Sequence, residues 1–149
     1  MGEVRLPSRL VRMSRFPQRM LALGLPMGPL RLLRTRGRRS GLPRTAPVAL
    51  LRLDGREWLV SPFGDTQWVR NVRADGRAEI VRGRRVRRVR LVEVDGGRKA
   101  GVLLAYRRRF GVVPFVRDAF AAVPGDGAAA FAAEADRHPV FLVEPDPEG

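Results

Sequence analysis

The sequence contains no cysteine and a single histidine, His138, in 149 residues. The absence of thiols excludes a disulfide framework, a cysteine nucleophile and thiolate metal sites. One histidine alone argues against a histidine-based metal centre and against a Ser-His-Asp triad. Much of zinc and hydrolase chemistry is therefore excluded before any motif is considered.

Long hydrophobic runs are also missing. The longest uncharged apolar stretch covers residues 20–30 and is interrupted by glycine and proline, whereas a membrane-spanning helix needs about 20 apolar residues. The N-terminus lacks the order of a secretory signal, so we expect a cytoplasmic protein. Residues 1–29 are interpreted as a helix followed by a turn-rich connection. Residues 8–23 mix arginine with apolar side chains and could lie on an anionic bilayer, although packing on the domain itself is the favoured reading.

Positive charge is abundant and unevenly distributed. The chain has 29 basic and 15 acidic side chains, and Lys99 is the only lysine. Residues 1–117 hold 28 basic and 8 acidic side chains, a net charge of +20, whereas residues 118–149 hold 1 and 7, a net charge of −6. Such a basic body attracts nucleic acid, acidic lipid, or a phosphorylated or polycarboxylate ligand.

The length predicts one domain over residues 1–149. Strands are expected at 30–36, 44–53, 57–61, 77–81, 84–94 and 140–144. Asp54-Gly55 predicts a tight hairpin turn, and Pro47 predicts a sheet edge or a bulge. Apolar positions in 84–94 change parity, which predicts a bulge or a strand buried on both faces. Helices are expected from Asp65, as cap, to Ala74, and at 98–110, 115–122 and 127–136. The pattern indicates an α+β domain around a small barrel.

The segment from Arg34 to Thr45 carries the strongest ligand signal. Two glycines allow backbone N–H groups to point one way as an anion nest, and hydroxyl and guanidinium donors flank them. The candidate residues are Gly37, Arg38, Arg39, Ser40, Gly41, Arg44 and Thr45. An ordinary basic hairpin turn explains the same residues equally well.

A second group of candidates lies where a strand is expected to end and a helix to begin. It consists of Ser61, Pro62, Phe63, Gly64, Trp68 and Asn71. Trp68 and Asn71 are three apart and share one helical face. Trp68 could lie against a planar ring with Asn71 beside it, or it could pack in the core while Asn71 bonds the backbone.

Together these segments resemble the deazaflavin-dependent nitroreductase family, which uses coenzyme F420, an 8-hydroxy-5-deazaflavin. The similarity covers residues 32–47, with Pro47 among the candidate cofactor contacts, then 60–64 and 68–74; the terminal 139–145 also matches that family's last strand. Many relatives have Lys or Asn after the serine of the second motif, where this chain has Pro62-Phe63.

The resemblance implies a split β-barrel related to flavin-mononucleotide-binding oxidoreductases. It implies that the loop from Gly37 to Arg44 holds the phosphate and the start of the oligoglutamate tail of the coenzyme. The Ser61–Gly64 turn would contact the deazaflavin ring, with Trp68 and Asn71 shaping the site. The helical segment 98–137 would cover the substrate side.

The implied reaction is hydride transfer from the reduced deazaflavin to a quinone, nitroaromatic or enone, with no metal and no assigned catalytic side chain. Tyr106 could contact substrate, although packing with its helical neighbours is favoured. The expected partners are the coenzyme and a small-molecule substrate, not nucleic acid, and the protein is expected to be a monomer or homodimer. The alternatives are a basic nucleic-acid-binding module, suggested by the arginines of 82–90, or the same barrel binding FMN or heme, or acting as a non-catalytic binder.

Overall fold

Six antiparallel strands close into a barrel in a computed structural model that describes residues 28–147. The helix expected over residues 8–23 lies outside the described residues. The strands are β1 (Leu30–Arg36), β2 (Pro43–Leu53), β3 (Arg56–Val60), β4 (Arg77–Arg82), β5 (Arg85–Glu93) and β6 (Val140–Pro145). Their order around the barrel is β1-β2-β3-β6-β5-β4. The expectation of a split-barrel α+β fold is confirmed.

Four helices and two short 3-10 turns complete the described part of the chain. The helices are α1 (Gln67–Ala74), α2 (Gly96–Phe110), α3 (Pro114–Arg117) and α4 (Ala128–Ala133), and the 3-10 turns cover Pro124–Asp126 and Ala135–Arg137. The helix expected at 115–122 is therefore a single turn, and the one expected at 127–136 ends early. Alanine-rich sequence favours a helix, but the backbone leaves helical geometry at Glu134, which has a φ of −114°.

The hairpin geometry and the strand register account for two features of the sequence, Asp54-Gly55 and Pro47. Asp54 and Gly55 both have positive φ, 55° and 72°, as the expected tight hairpin requires. Pro47 pairs with Leu32 of β1, while the pairing of β2 with β3 begins only at Leu50. Pro47 therefore lies where one side of β2 is open, so the edge interpretation is confirmed.

The bulge expected in the fifth strand is absent. Strand β5 keeps one continuous register with β4 and with β6. Val89 and Leu91 face the core, whereas Val86 and Val92 are exposed. The parity change in the sequence arises because β5 carries valine on its outer face, and exposed single apolar residues are normal.

Two apolar clusters position the rest of the molecule. The first fills the barrel and includes Leu33, Leu59 and Phe141 from the strands and Val69 and Val72 from α1. The second lies on the outer face of β2, β3 and β6, where α2, α3 and α4 cover it. Helix α1 is thus held against one end of the barrel by its own apolar face, which fixes where its polar face lies.

The cap expected at Asp65 is wrong. Helix α1 begins after Thr66, and no side chain caps its N-terminus. The Asp65 carboxylate instead accepts a hydrogen bond from Arg73 at 2.9 Å. The guanidinium of Arg73, one helical length away, binds the Asp65 carboxylate in place of the backbone N–H groups at the start of α1, because a charge-assisted hydrogen bond is stronger.

Replacing Phe141 by alanine tests how far the barrel interior holds the fold. Phe141 is 1% exposed and contacts the Trp68 ring at a centroid distance of 5.5 Å. We expect the free energy of unfolding to fall by about 3–5 kcal/mol in denaturant titrations, because a large cavity remains. The control is Val112→Ala at an 83% exposed position, which should change stability by less than about 0.5 kcal/mol. Equal effects of the two changes would contradict this account of the core.

Candidate functional site

The loop between β1 and β2 is closed by its own hydrogen bonds. The Gly37 N–H donates to the Leu42 carbonyl oxygen and the Gly41 N–H to that of Gly37, both at 2.8 Å. A Cβ on Gly37 would lie 2.8 Å from the Ser40 hydroxyl oxygen and 3.0 Å from the Leu42 carbonyl oxygen. Gly41 has a φ of +73°. Both glycines are therefore required by the turn itself.

Four backbone N–H groups at the expected anion nest already have acceptors. The N–H groups of Gly37 and Gly41 are used within the loop, the Leu42 N–H donates to the Ser40 hydroxyl, and the Arg38 N–H donates to Asn71. Backbone donors that already have acceptors cannot also cradle an anion. Anion binding at this loop would depend mainly on side chains.

Asn71 of helix α1 connects the loop to the barrel. Its Oδ1 accepts from the Arg38 N–H at 3.2 Å and from Arg38 Nη1 at 2.9 Å, and its Nδ2 donates to the Thr35 hydroxyl at 3.2 Å. Arginine only donates, so the amide oxygen of Asn71 must face Arg38. Gln67, one turn earlier on the helix, accepts a further bond from Arg38 Nη1 at 2.9 Å. The structure therefore brings the two groups of candidate residues together.

The turn after β3 is shaped from within. The Ser61 hydroxyl donates to the Gly64 carbonyl oxygen at 2.6 Å, and Ser61 is 1% exposed. Gly64 has a φ of +84°, and Pro62 is buried. These three buried residues fix the path of the chain into α1.

His138 and Glu134 hold the same turn from behind. His138 is 1% exposed; its Nδ1 lies 2.9 Å from the Pro62 carbonyl oxygen and its Nε2 lies 2.7 Å from Glu134 Oε1. Because a carbonyl oxygen only accepts, Nδ1 carries a proton and donates to Pro62. His138 therefore has a structural role at this turn.

Glu134 is buried, and hydrogen bonds replace the water that its carboxylate has lost. Its carboxylate accepts from His138 and from the backbone N–H groups of Ala121 and Ala122. Burial alone would raise the pKa of Glu134, but hydrogen bonds from His138, Ala122 and Ala121 and the charge of His138 outweigh it. The net result is a pKa below the ordinary value, so the group is held as a carboxylate.

The aromatic candidates lie in different surroundings. Trp68 is half-buried and packs on Phe141. Phe63 stacks on Phe115 of α3 at a centroid distance of 5.9 Å, so the helical segment reaches the Ser61–Gly64 turn. Tyr106 is 3% exposed and packs against Phe110 at 4.9 Å. Burial raises the pKa of Tyr106 well above its ordinary value. Its hydroxyl faces the core and not this site.

The remaining candidates are exposed, and all but Pro47, which pairs with Leu32 midway along β1, lie in or next to the loop. They are Arg38, Arg39, Ser40, Arg44, Thr45 and Pro47. Thr35 of β1 pairs with Arg44 of β2, so Arg44 lies next to the strand residue that Asn71 binds. A groove of about 470 Å³ on the outer face of β1 and β4 contacts the loop at Gly41. Arg34, Arg36, Arg77 and Arg88 contribute charge to that groove.

Sequence reasoning missed Thr35, Gln67 and Glu134. The spacing of Gln67 and Asn71 by four residues was the available signal for Gln67. Thr35 carries no local signal, because its partner Asn71 lies 36 positions away. For Glu134 the four-residue spacing to His138 was the available signal, whereas its bonds to Ala121 and Ala122 had none. Within residues 28–147 no three metal-ligating side chains come together. Across that range no helix is long and apolar enough to cross a bilayer.

A family model described as F420H(2)-dependent quinone reductase matches residues 9–109, more than half of the chain. A search of curated proteins finds no match.

Solved structures share the fold at low sequence identity. An F420-H2 dependent reductase (FDR-A) has a TM-score of 0.55 and 19% identity, covering 78% of this chain and 94% of that one. The heme storage protein HutZ from Vibrio cholerae has a TM-score of 0.56 and 11% identity, covering 93% and 89%. A structure described as a domain-swapped dimer has a TM-score of 0.54 and 20% identity, covering 93% and 100%. At these identities the likeness establishes the barrel fold alone.

Asn71→Ala should loosen the loop. The change leaves the Arg38 N–H and the Thr35 hydroxyl without their partner, so we expect a loss of about 1–3 kcal/mol in the free energy of unfolding. Amide hydrogen exchange at Arg38 should accelerate. The control is Gln67→Ala, which removes only an exposed bond to Arg38 and should leave the exchange rate nearly unchanged. Slow exchange at Arg38 in the Asn71→Ala variant would contradict the conclusion that Asn71 holds the loop in place.

Acidification should remove the contribution of Glu134. Its pKa is lowered in the folded chain, so its stabilisation is complete above the unfolded value of about 4.3 and is lost as the pH falls through the folded value. Denaturant midpoints at pH 6, 4 and 3 should therefore show the stability gap between the wild type and Glu134→Gln narrowing with acidity. A gap that stays constant over this range would show that Glu134 titrates alike in both states.

Proposed function

The chain belongs to the F420H(2)-dependent quinone reductase family, and we propose that it transfers a hydride from the reduced deazaflavin coenzyme to an electron-poor acceptor. Quinones, nitroaromatics and enones are the acceptor classes of the proposal. The observation that supports it most is the pair of hydrogen bonds that the Asn71 amide oxygen accepts from Arg38. These bonds hold the arginine-rich loop next to the helix that follows the Ser61–Gly64 turn.

The donor chemistry of the loop fits the anionic part of the coenzyme. Arg39 and Arg44 are exposed, and Arg38 keeps further N–H groups beyond the Nη1 that binds Asn71 and Gln67. Guanidinium groups bind phosphate and carboxylate through charge-assisted, often bidentate hydrogen bonds. We assign the phosphate and the first glutamate of the tail to Arg38, Arg39, Arg44 and the Ser40 hydroxyl. The exposed Thr45 and Pro47 would line the same side.

The ring of the coenzyme is assigned to the neighbouring turn. Ser61 and Gly64 set the shape of that turn, while Phe63 and Trp68 offer apolar surface, and Phe115 extends it. When bound, the reduced deazaflavin supplies a two-electron hydride donor. The side chains here orient the reactants and exclude water. Residues 98–137 are proposed to cover the substrate side, and the contact of Phe115 with Phe63 supports this.

Two alternatives are less well supported. HutZ shares the fold and is described as a heme storage protein, but the one histidine of this chain is buried with both ring nitrogens engaged. The arginines of 82–90 do not form one nucleic-acid-binding face, because alternate residues of a strand point to opposite sides. FMN binding remains an outcome of the titration described below.

We also propose that the protein acts in the cytoplasm, as a monomer or homodimer, with its N-terminal segment as the candidate contact with lipid. The neighbour described as a domain-swapped dimer supports testing the dimer.

The triple change of Arg38, Arg39 and Arg44 to alanine should weaken binding of coenzyme F420 by about 2 kcal/mol or more, roughly 30-fold, because several charge-assisted bonds are lost. Fluorescence titration of the coenzyme measures this. The matched control replaces Arg56, Arg84 and Arg108, which are exposed outside the loop and carry the same total charge. Unchanged affinity in the folded loop variant would refute the assignment.

The activity itself is tested by oxidation of the reduced coenzyme across a panel of quinones and nitro compounds. Parallel titrations of the purified protein with FMN and heme provide the comparison. Tight FMN binding without deazaflavin binding would overturn the proposed function.

A further inference from the structure

A ring of arginines surrounds the barrel end opposite the loop. The ring consists of Arg31 of β1, Arg52 of β2, Arg82 of β4 and Arg85 and Arg87 of β5. Among residues 28–147, Glu57 of β3 is the one carboxylate lining the same cavity. We call these five arginines the basal ring. The cavity measures about 440 Å³. Arg31 lies five residues before Arg36, so at about 3.3 Å per residue the basal ring is some 16 Å from the start of the loop.

Strand alternation explains why these arginines converge. Arg82 is two residues beyond the buried Ile80, Arg52 is two beyond Leu50, and Arg87 is two before Val89. Each therefore lies on the core-facing side of its strand. Leu50 and Ile80 form the apolar floor of the cavity.

The basal ring carries more positive charge than the fold neutralises. Glu57 pairs with Arg87 at 2.6 Å and approaches Arg52 at 3.9 Å. Arg82 and Arg85 are direct cross-strand partners, and like charges in this position are destabilising. Five arginines against one glutamate leave a net charge of +4 around one cavity.

The electrostatics of Arg31 are consistent with this crowding. Burial lowers the pKa of Arg31, and the charges of Arg82, Arg52 and Arg87 lower it further, partly offset by Glu57. Its Nη1 donates to the carbonyl oxygens of Gly28 and Leu30 at 2.8 Å. Arg31 is thereby fixed at the cavity wall although its neighbours repel it.

We propose that the basal ring is a second binding site, which takes an anion of the diphosphate class. Compact, doubly charged phosphates match guanidinium groups that converge from several strands, because each fork can bind two oxygens. The cavity is large enough for a diphosphate and an attached group, and such a group would meet Leu50 and Ile80. This site is separate from the loop assigned to the coenzyme and does not depend on the proposed function.

Binding of inorganic pyrophosphate, followed by isothermal titration and by thermal melting, tests the proposal on the full chain. The ring variant carries Arg82→Gln and Arg85→Gln. The control carries Arg56→Gln and Arg90→Gln, which remove the same charge from exposed positions outside the cavity. The loop variant of Arg38, Arg39 and Arg44 separates binding at the coenzyme loop from binding at the ring.

We expect the wild type, the control and the loop variant to bind pyrophosphate at the ring, and the ring variant to bind about tenfold or more weakly. Pyrophosphate should raise the melting temperature of the wild type more than that of the ring variant. Without ligand, the ring variant should melt at or above the wild-type temperature, because a repulsive pair has been removed.

A titration with ADP distinguishes the source of the diphosphate. Tighter binding of ADP than of pyrophosphate at the ring assigns an esterified diphosphate, and the reverse order assigns the free ion. Equal pyrophosphate affinity in the ring variant and the control overturns the proposal, as does loss of all binding in the loop variant alone. Because coenzyme binding should be unchanged in the ring variant, failure here is distinguishable from failure of the proposed function.

Discussion

The amide of Asn71 is the interaction on which the arrangement of the candidate site depends. It joins Thr35 of the first strand, the Arg38 backbone of the loop and the helix α1 that follows the Ser61–Gly64 turn. Asn71 is 3% exposed, so its bonds form in a setting where an unsatisfied amide is costly. A single buried side chain thus holds the arginine-rich loop next to the helix that follows the Ser61–Gly64 turn. That pairing of a charged end with an apolar wall suits a ligand that has both.

A second buried polar group acts in a similar way on the other side of the turn. His138 donates to the Pro62 carbonyl oxygen, and Glu134 receives its other ring nitrogen together with two backbone N–H groups. The pair places the late helical segment, the last strand and the turn in one hydrogen-bonded unit. It also explains how a chain with one histidine uses it: the side chain is part of the framework that supports the site.

The strong positive charge of the chain is divided by the barrel into separate surfaces. Strand alternation sends Arg82, Arg85 and Arg87 into the cavity at the base, whereas Arg88 lines the groove on the outer face. The arginines of residues 82–90 look like one basic patch in the sequence but therefore lie on two different surfaces of the barrel. The loop arginines form a third surface, which Arg38 and Asn71 join to the helix that carries Trp68.

The sequence by itself determined the strands, because turn residues and strand alternation act over a few positions: Asp54-Gly55 closes its hairpin, and the Leu30–Arg36 strand has the bounds its pattern predicts. The family motifs predicted that the loop and the turn belong to one site. The structure shows that Asn71 joins the loop to the helix that follows the turn. Local sequence could not decide which backbone donors of the loop already have acceptors, whether Asp65 caps α1, or what Thr35 binds. Each of those depends on a partner distant in the chain, since a donor that appears free in a segment can be taken by Asn71 or Arg73 once the barrel closes. Only the tertiary structure could show that the arginines of four strands meet at one end of the barrel, because their convergence is set by register and closure.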